Sequence, residues 1–137
     1  MKTVAVLGYK GYLGSHFVRG VEGREWRALG LSRKEVDYSN VDHLSTWIRE
    51  HKPTFLVNAA GFTGKPNVDA CERDKSDCLF GNAVLPGRIR EVCEEHAIAW
   101  GHVSSGCIYS GTRADGKGWR EEDEPNFSFR SPPCSFY

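Results

Sequence analysis

The chain has 137 residues, 18 basic and 18 acidic side chains, a formal net charge of zero and 39% hydrophobic residues. That is one globular domain with enough apolar content for a core, and balanced charge argues against nucleic-acid or membrane-surface partners, which usually need a basic excess. No apolar run approaches the roughly 20 residues that span a bilayer, and the five cysteines are odd in number without a Cys-x-x-Cys pair, as in a reduced cytosolic protein. Met1-Lys2-Thr3 leads directly into an apolar segment with no signal-peptide core, so a cytoplasmic location is expected.

Residues 3–7, Thr-Val-Ala-Val-Leu, read as a buried strand because they are apolar, β-branched and end at glycine. Glycines follow at 8, 11 and 14 within Gly8-Tyr9-Lys10-Gly11-Tyr12-Leu13-Gly14. Strand, glycine triplet and helix form a dinucleotide-binding fingerprint: the glycines permit a tight turn, a close backbone approach to a pyrophosphate, and helix packing on the strand. The helix that follows carries Leu13, Phe17, Val18 and Val21, expected on one apolar face, and its free N–H groups are expected to meet phosphate. Residues 26–31 read as a second strand. Ser39-Asn40 supplies an N-cap for a helix with Val41, Leu44, Trp47 and Ile48 at helical spacing, stopped by Pro53. Residues 54–61 give a third strand ending in Asn58-Ala59-Ala60-Gly61, whose small side chains let a cofactor lie against the backbone. A helix with Leu85, Ile89, Val92 and Cys93 on one face follows, with Pro86 expected to kink it or sit near its start. Residues 98–104 read as a fourth strand despite Gly101-His102, and residues 106–133 as a long functional loop. Alternating strands and helices imply an α/β fold, a Rossmann-type doubly wound parallel sheet spanning residues 1–137.

Ser32-Arg33-Lys34 stands where an acidic residue would favour NAD by bonding the adenosine ribose. A hydroxyl and two cations suit a 2′-phosphate, since a guanidinium binds phosphate oxygens bidentately. NADP(H) is therefore expected over NAD(H), with Glu35 as the opposing signal. Cys93 and His96 lie three apart on a helix, but two further ligands are not evident, and no metal is expected. The acidic run 121–124 reads as a solvated loop face.

Gly8 to Gly14, Asn58-Ala59-Ala60-Gly61, Ser104-Ser105-Gly106-Cys107-Ile108-Tyr109 and Tyr137, in that order, resemble the extended short-chain dehydrogenase/reductase family, of the NAD-dependent epimerase/dehydratase type. Residues 64–72, 121–127 and the final Ser-Phe-Tyr look like its nucleotide-rhamnose synthase branch, which includes dTDP-4-dehydrorhamnose reductases and combines 3,5-epimerase with 4-keto-reductase activity. The resemblance implies cofactor contacts from Gly8, Tyr9, Gly11, Tyr12, Leu13, Gly14, Ser32, Arg33, Lys34, Asp37, Asn58, Ala59, Ala60, Gly61 and Asn82, with Asp37 near the adenine. It implies substrate contacts from Thr63, Lys65 and Asn67 in a loop facing a nucleotide-sugar. Ser105 and Tyr137 match the pair that holds a ketone oxygen and protonates it, a phenol needing its pKa brought down from about 10. Cys107, two residues past Ser105 on an extended segment, points to the same face. A thiol of pKa about 8.5 can act as acid/base on the acidified C–H bonds beside a 4-keto group.

The family's lysine four places after the tyrosine falls past the last residue. The expectation is the cofactor-binding portion of a longer enzyme, inactive alone and lacking the C-terminal substrate-binding part, with a homodimer possible in the family. Another nucleotide-sugar reductase, 4-epimerase or 4,6-dehydratase on the same scaffold, or a non-catalytic dinucleotide-binding module, stays open.

Overall fold

A computed structural model describes residues 1–105 and 108–126. Its strands are β1 (Thr3–Leu7), β2 (Arg27–Leu31), β3 (Phe55–Asn58) and β4 (Ala99–His102), and all pair in parallel in the order β2-β1-β3-β4. Helix α1 (Tyr12–Glu22) connects β1 to β2, and α2 (Val41–His51) carries the chain back to β3. A 3-10 turn (Val68–Glu72), a short helix α3 (Lys75–Leu79), a π-helical turn (Phe80–Val84) and α4 (Leu85–Glu95) lead to β4. The strand order reverses direction between β1 and β3, which is where open α/β sheets form a ligand crevice.

Alternation along β1 sorts its side chains onto two faces. Ala5 and Leu7 join Leu31, Leu44, Ile48, Leu56, Ile89 and Val92 in a core under α2 and α4. Val4 and Val6 pack with Val21 and Val57 on the opposite face, beneath α1. The fold is thus the doubly wound α/β sheet that the alternating pattern implies.

Local signals explain most element ends. Asn40 caps α2 by accepting from the Asp42 and His43 N–H groups at 2.9 and 3.3 Å. Lys52 ends that helix in the left-handed region, one residue before Pro53. Pro86 falls in the first turn of α4, directly after the π-helical turn. It cannot donate to the carbonyl of Asn82 and its ring crowds that carbonyl, so the preceding turn widens. The strands are shorter than the apolar runs suggest, because residues 59–61 and 103–104 leave the sheet at the ligand edge.

One expectation is corrected. The buried line of α1 runs through Gly14, Val18 and Val21, not through Leu13 and Phe17, which are exposed. Gly14 sits against the end of β1, so the residues one position earlier rotate about 100° away from the sheet.

A Cβ added at Gly14 would lie 2.2 Å from the Gly8 carbonyl oxygen, whereas one at Gly87 in α4 meets nothing within 4 Å. Gly14→Ala should therefore lower stability by about 1–3 kcal/mol, and Gly87→Ala should raise it by about 0.5–1 kcal/mol. Urea denaturation of both variants checks this; equal effects would refute the packing account.

Candidate functional site

The C-terminal edge of the sheet is built by three chain exits that bind one another. Gly8 N–H donates to Leu31 O at 3.0 Å, Ala59 N–H to Leu7 O at 3.1 Å, and Val103 N–H to Asn58 O at 3.0 Å. Gly8 has φ of +73°, and a Cβ there would meet the Ala60 backbone at 3.0 Å, so only glycine fits comfortably. Gly11 N–H returns to Gly8 O at 2.9 Å and closes the tight turn. A Cβ at Gly11 would meet only the Gly8 oxygen, at 3.2 Å, and otherwise faces the crevice. Each glycine therefore has the separate duty that close backbone approach to a pyrophosphate requires, and the first-turn N–H groups of α1 lack intrahelical partners.

Two clefts meet over this edge. One, of about 600 Å³, is lined by Tyr12, Leu13, Thr63, Asn82, His102 and Ser105 among others. The second, of about 460 Å³, lies between Gly8, Arg33, Tyr38, Asp77, Phe80 and Gly81. Gly11 and residues 59–62 line both, so the two form one trough across the point of strand reversal.

The predicted residues divide into those that face the trough and those that shape it. Gly8, Gly11, Tyr12, Leu13, Arg33, Ala59, Ala60, Gly61, Thr63, Asn82 and Ser105 line it. Gly14 lies behind it as the helix–strand contact. Asn58 is fully buried and does not line it. Its Oδ1 accepts from Ala60 N–H at 3.0 Å, so its Nδ2 is the donor to His102 Nδ1, 3.1 Å away. That leaves the imidazole proton on Nε2. Asn82 lines the trough but also clamps Phe62, accepting from its N–H and donating to its O, both at 2.8 Å. The clamp needs a close approach: a Cβ at Gly81 would lie 2.8 Å from Phe62 Cβ.

Several expectations change in detail. Ser32 spends both its donors on Glu35, N–H at 2.9 Å and Oγ at 2.7 Å, and Lys34 is an exposed residue outside the trough, so Arg33 alone of the three faces it. Tyr9 does not line the trough; its hydroxyl donates to Glu35 at 3.0 Å. A Cβ at Gly30 would lie 2.4 Å from the Tyr9 ring, so the ring rests on bare β2 backbone. Asp37 accepts from the N–H and hydroxyl of Ser39, which hold its carboxyl below the usual range, and buried Tyr38 takes the trough position instead. Asn67 caps the 3-10 turn through Asp69 N–H at 3.1 Å, and Lys65 is exposed; neither lines the trough. Cys107 and Tyr137 lie outside the described residues. The buried Cys93 thiol is pushed up to about 11 by desolvation, and His96 bonds Ser45 at 2.7 Å.

Loop residues 108–126 hold themselves in shape. Tyr109 stacks on Trp119 at 5.4 Å and donates to Asp123 O at 2.8 Å, while Asn126 and Ser110 exchange two bonds. Asp123, within the acidic run, is half-buried and accepts from Arg120 N–H at 2.7 Å rather than standing in solvent. Tyr38, Phe62 and His102 were not predicted. The signal for His102 was a polar residue in an otherwise apolar strand, which a buried partner such as Asn58 explains.

The family description RmlD substrate binding domain matches residues 1–129. The chain belongs to that family. A trifunctional UDP-glucose 4,6-dehydratase/UDP-4-keto-6-deoxy-D-glucose 3,5-epimerase/UDP-4-keto-L-rhamnose-reductase of Arabidopsis thaliana is 42% identical over 84 residues, covering 58% of this chain and 13% of that protein. The UDP-rhamnose synthase structure from Acanthamoeba polyphaga mimivirus superposes with TM-score 0.80 at 25% identity, covering 92% of this chain and 46% of that one. A dTDP-4-dehydrorhamnose reductase of Bacillus anthracis in complex with NADP shares the fold, with TM-score 0.77 at 21% identity, covering 91% and 43%. This RmlD-family chain spans less than half the length of these proteins. Among the described residues no helix is long and apolar enough to cross a membrane.

The Ser32 hydrogen bonds lower the Glu35 pKa from the usual 4.5 to about 2. Its contribution to stability is complete above the unfolded value and is lost as pH falls toward the folded one. Stability should drop between about pH 5 and pH 2, and Glu35→Gln should flatten part of that slope. Urea midpoints across the range measure it; identical slopes in the two proteins would count against the hydrogen-bonded carboxylate.

Proposed function

We propose that this chain is the NADP(H)-binding portion of a nucleotide-sugar 3,5-epimerase/4-keto-reductase of rhamnose-type deoxysugar synthesis, acting in the cytoplasm without nucleic-acid or membrane partners. The observation that carries it is Arg33 beside Gly8 and Gly11 in a trough that continues to Ser105. A cationic fork at the end of β2, a glycine turn at the strand reversal and a hydroxyl beyond β4 are the groups such a cofactor and ketone require. The names of the relatives, rhamnose synthases and dehydrorhamnose reductases, support the same substrate class.

The glycine turn and the open first turn of α1 would hold the pyrophosphate, and Arg33 the 2′-phosphate. When bound, a reduced nicotinamide supplies the hydride for ketone reduction. Ser105 holds the ketone oxygen and Tyr137 gives it a proton. Cys107 moves protons at the carbons beside the ketone. Thr63 faces the same trough and bonds the sugar.

NADPH should bind about tenfold or more tightly than NADH, because charge-assisted bonds to one phosphate are worth about 1.5–3 kcal/mol. Nicotinamide fluorescence titrations give both constants, and a preference for NADH would overturn the cofactor assignment. In the active enzyme, Cys107→Ser should abolish solvent-deuterium exchange at the sugar carbons while 4-keto reduction remains measurable. Unchanged exchange would remove the thiol from the mechanism.

A further inference from the structure

Glu35 is the carboxylate closest in sequence to the cation that faces the trough, and the protein itself occupies both of its oxygens. Oε2 accepts from Ser32 N–H and Oγ at 2.9 and 2.7 Å. Oε1 accepts from the Tyr9 hydroxyl at 3.0 Å and from Lys10 Nζ at 3.2 Å. Two donors come from the turn after β2, and two from the glycine turn after β1. The clasp therefore ties together segments that are 25 and 26 residues apart in sequence.

The tied turn is compact. Glu35 N–H and Val36 N–H both donate to Ser32 O at 3.0 Å, which leaves Arg33 and Lys34 at its crest. Tyr9 cannot slide inward, since its ring already lies on the bare backbone at Gly30. Arg33 makes no hydrogen bond or ion pair among the described residues, and it lines the trough with Gly8 and Gly11. A free carboxylate at this place would accept a ribose hydroxyl or repel a phosphate. This one does neither without breaking bonds to four donors, and the Lys10 ammonium offsets its charge.

We infer that Glu35 is a positioning residue that locks the turn after β2 so that Arg33 faces the adenosine end of the trough, and that it thereby sets the preference for a 2′-phosphorylated ribose. The inference rests on reading the trough as a dinucleotide site. The carboxylate stays ionised across the working pH range because the Ser32 bonds hold its pKa near 2.

Adenosine 2′,5′-bisphosphate and 5′-AMP differ only in the 2′-phosphate, so the ratio of their dissociation constants isolates this contact. Calorimetric titrations of wild type, Arg33→Ala, Glu35→Gln and Tyr9→Phe supply it, with thermal melts confirming that each variant is folded. Wild type should prefer the bisphosphate, and Arg33→Ala should lose most of that preference. Glu35→Gln should reduce the ratio about tenfold while 5′-AMP changes by less than about twofold, and Tyr9→Phe should fall between. A Glu35→Gln ratio that is unchanged or increased overturns the inference, the latter by making the carboxylate a repulsive guard. Equal weakening of both ligands also overturns it, in favour of a purely structural role. Wild type that binds 5′-AMP without preferring the bisphosphate overturns the NADP(H) reading itself, and this inference falls with it.

Discussion

The contact between Gly14 and the Gly8 carbonyl sets the geometry of the whole ligand edge. A side chain cannot fit there, because a Cβ would sit 2.2 Å from that oxygen and 2.7 Å from Tyr9 Cα. Helix α1 therefore starts directly above the end of β1, and its unpaired N–H groups open over the strand reversal. The same turn is packed from the other side. Gly8 stands against the Ala59–Ala60 backbone and donates to Leu31 O, so the exits of β1, β2 and β3 form one hydrogen-bonded unit. Moving any one of them would displace the others, since interiors packed this closely do not deform gradually.

Polar residues around the trough mostly serve to hold backbone. Asn58 ties the exits of β3 and β4 through Ala60 and His102, Asn82 clamps Phe62, and Asp37 closes a turn with Ser39. Each satisfies a backbone group that a loop leaving a sheet would otherwise strand, which costs about 1–3 kcal/mol when buried. Other polar side chains, Tyr12, Arg33, Tyr38, Thr63, Asp77, His102 and Ser105, line the trough alongside bare backbone. A rigid frame with a few convergent polar groups is the common form of a small-molecule site.

Much of this was legible in the chain order. The β-branched run before Gly8, the Asn40 cap and the alternation of apolar segments depend on neighbours within a few residues, and the corresponding elements stand where the pattern puts them. Failures came where distant residues decide. Helical spacing marked Leu13 and Phe17 as apolar, but Gly14, the residue with no side chain, turns out to face the sheet. Ser32 looked available to a phosphate because its competitor's hold on it depends on a turn geometry that periodicity does not encode. The π-helical turn was invisible for a related reason: it accommodates Pro86 within a helix that continues, where proline alone signals only a start or a kink.

Glu35 shows why counting charges along a segment misjudges a site. Ser32-Arg33-Lys34-Glu35 contains two cations and one anion, which by tally weakens the argument for an anionic ligand. In the fold the anion faces away from the trough, into donors from two separate turns, and its charge is offset by Lys10, a residue outside the segment. The exposed Lys10–Glu35 pair contributes little to stability as an ion pair. Its effect on the trough is larger, because pairing Glu35 with Lys10 leaves Asp37 and Asp77 as the carboxylates near Arg33, where Gly8 and Gly11 bring the backbone close. The electrostatic character of the site thus follows from which charges are already paired, and here the pairing joins the first two strand exits of the sheet.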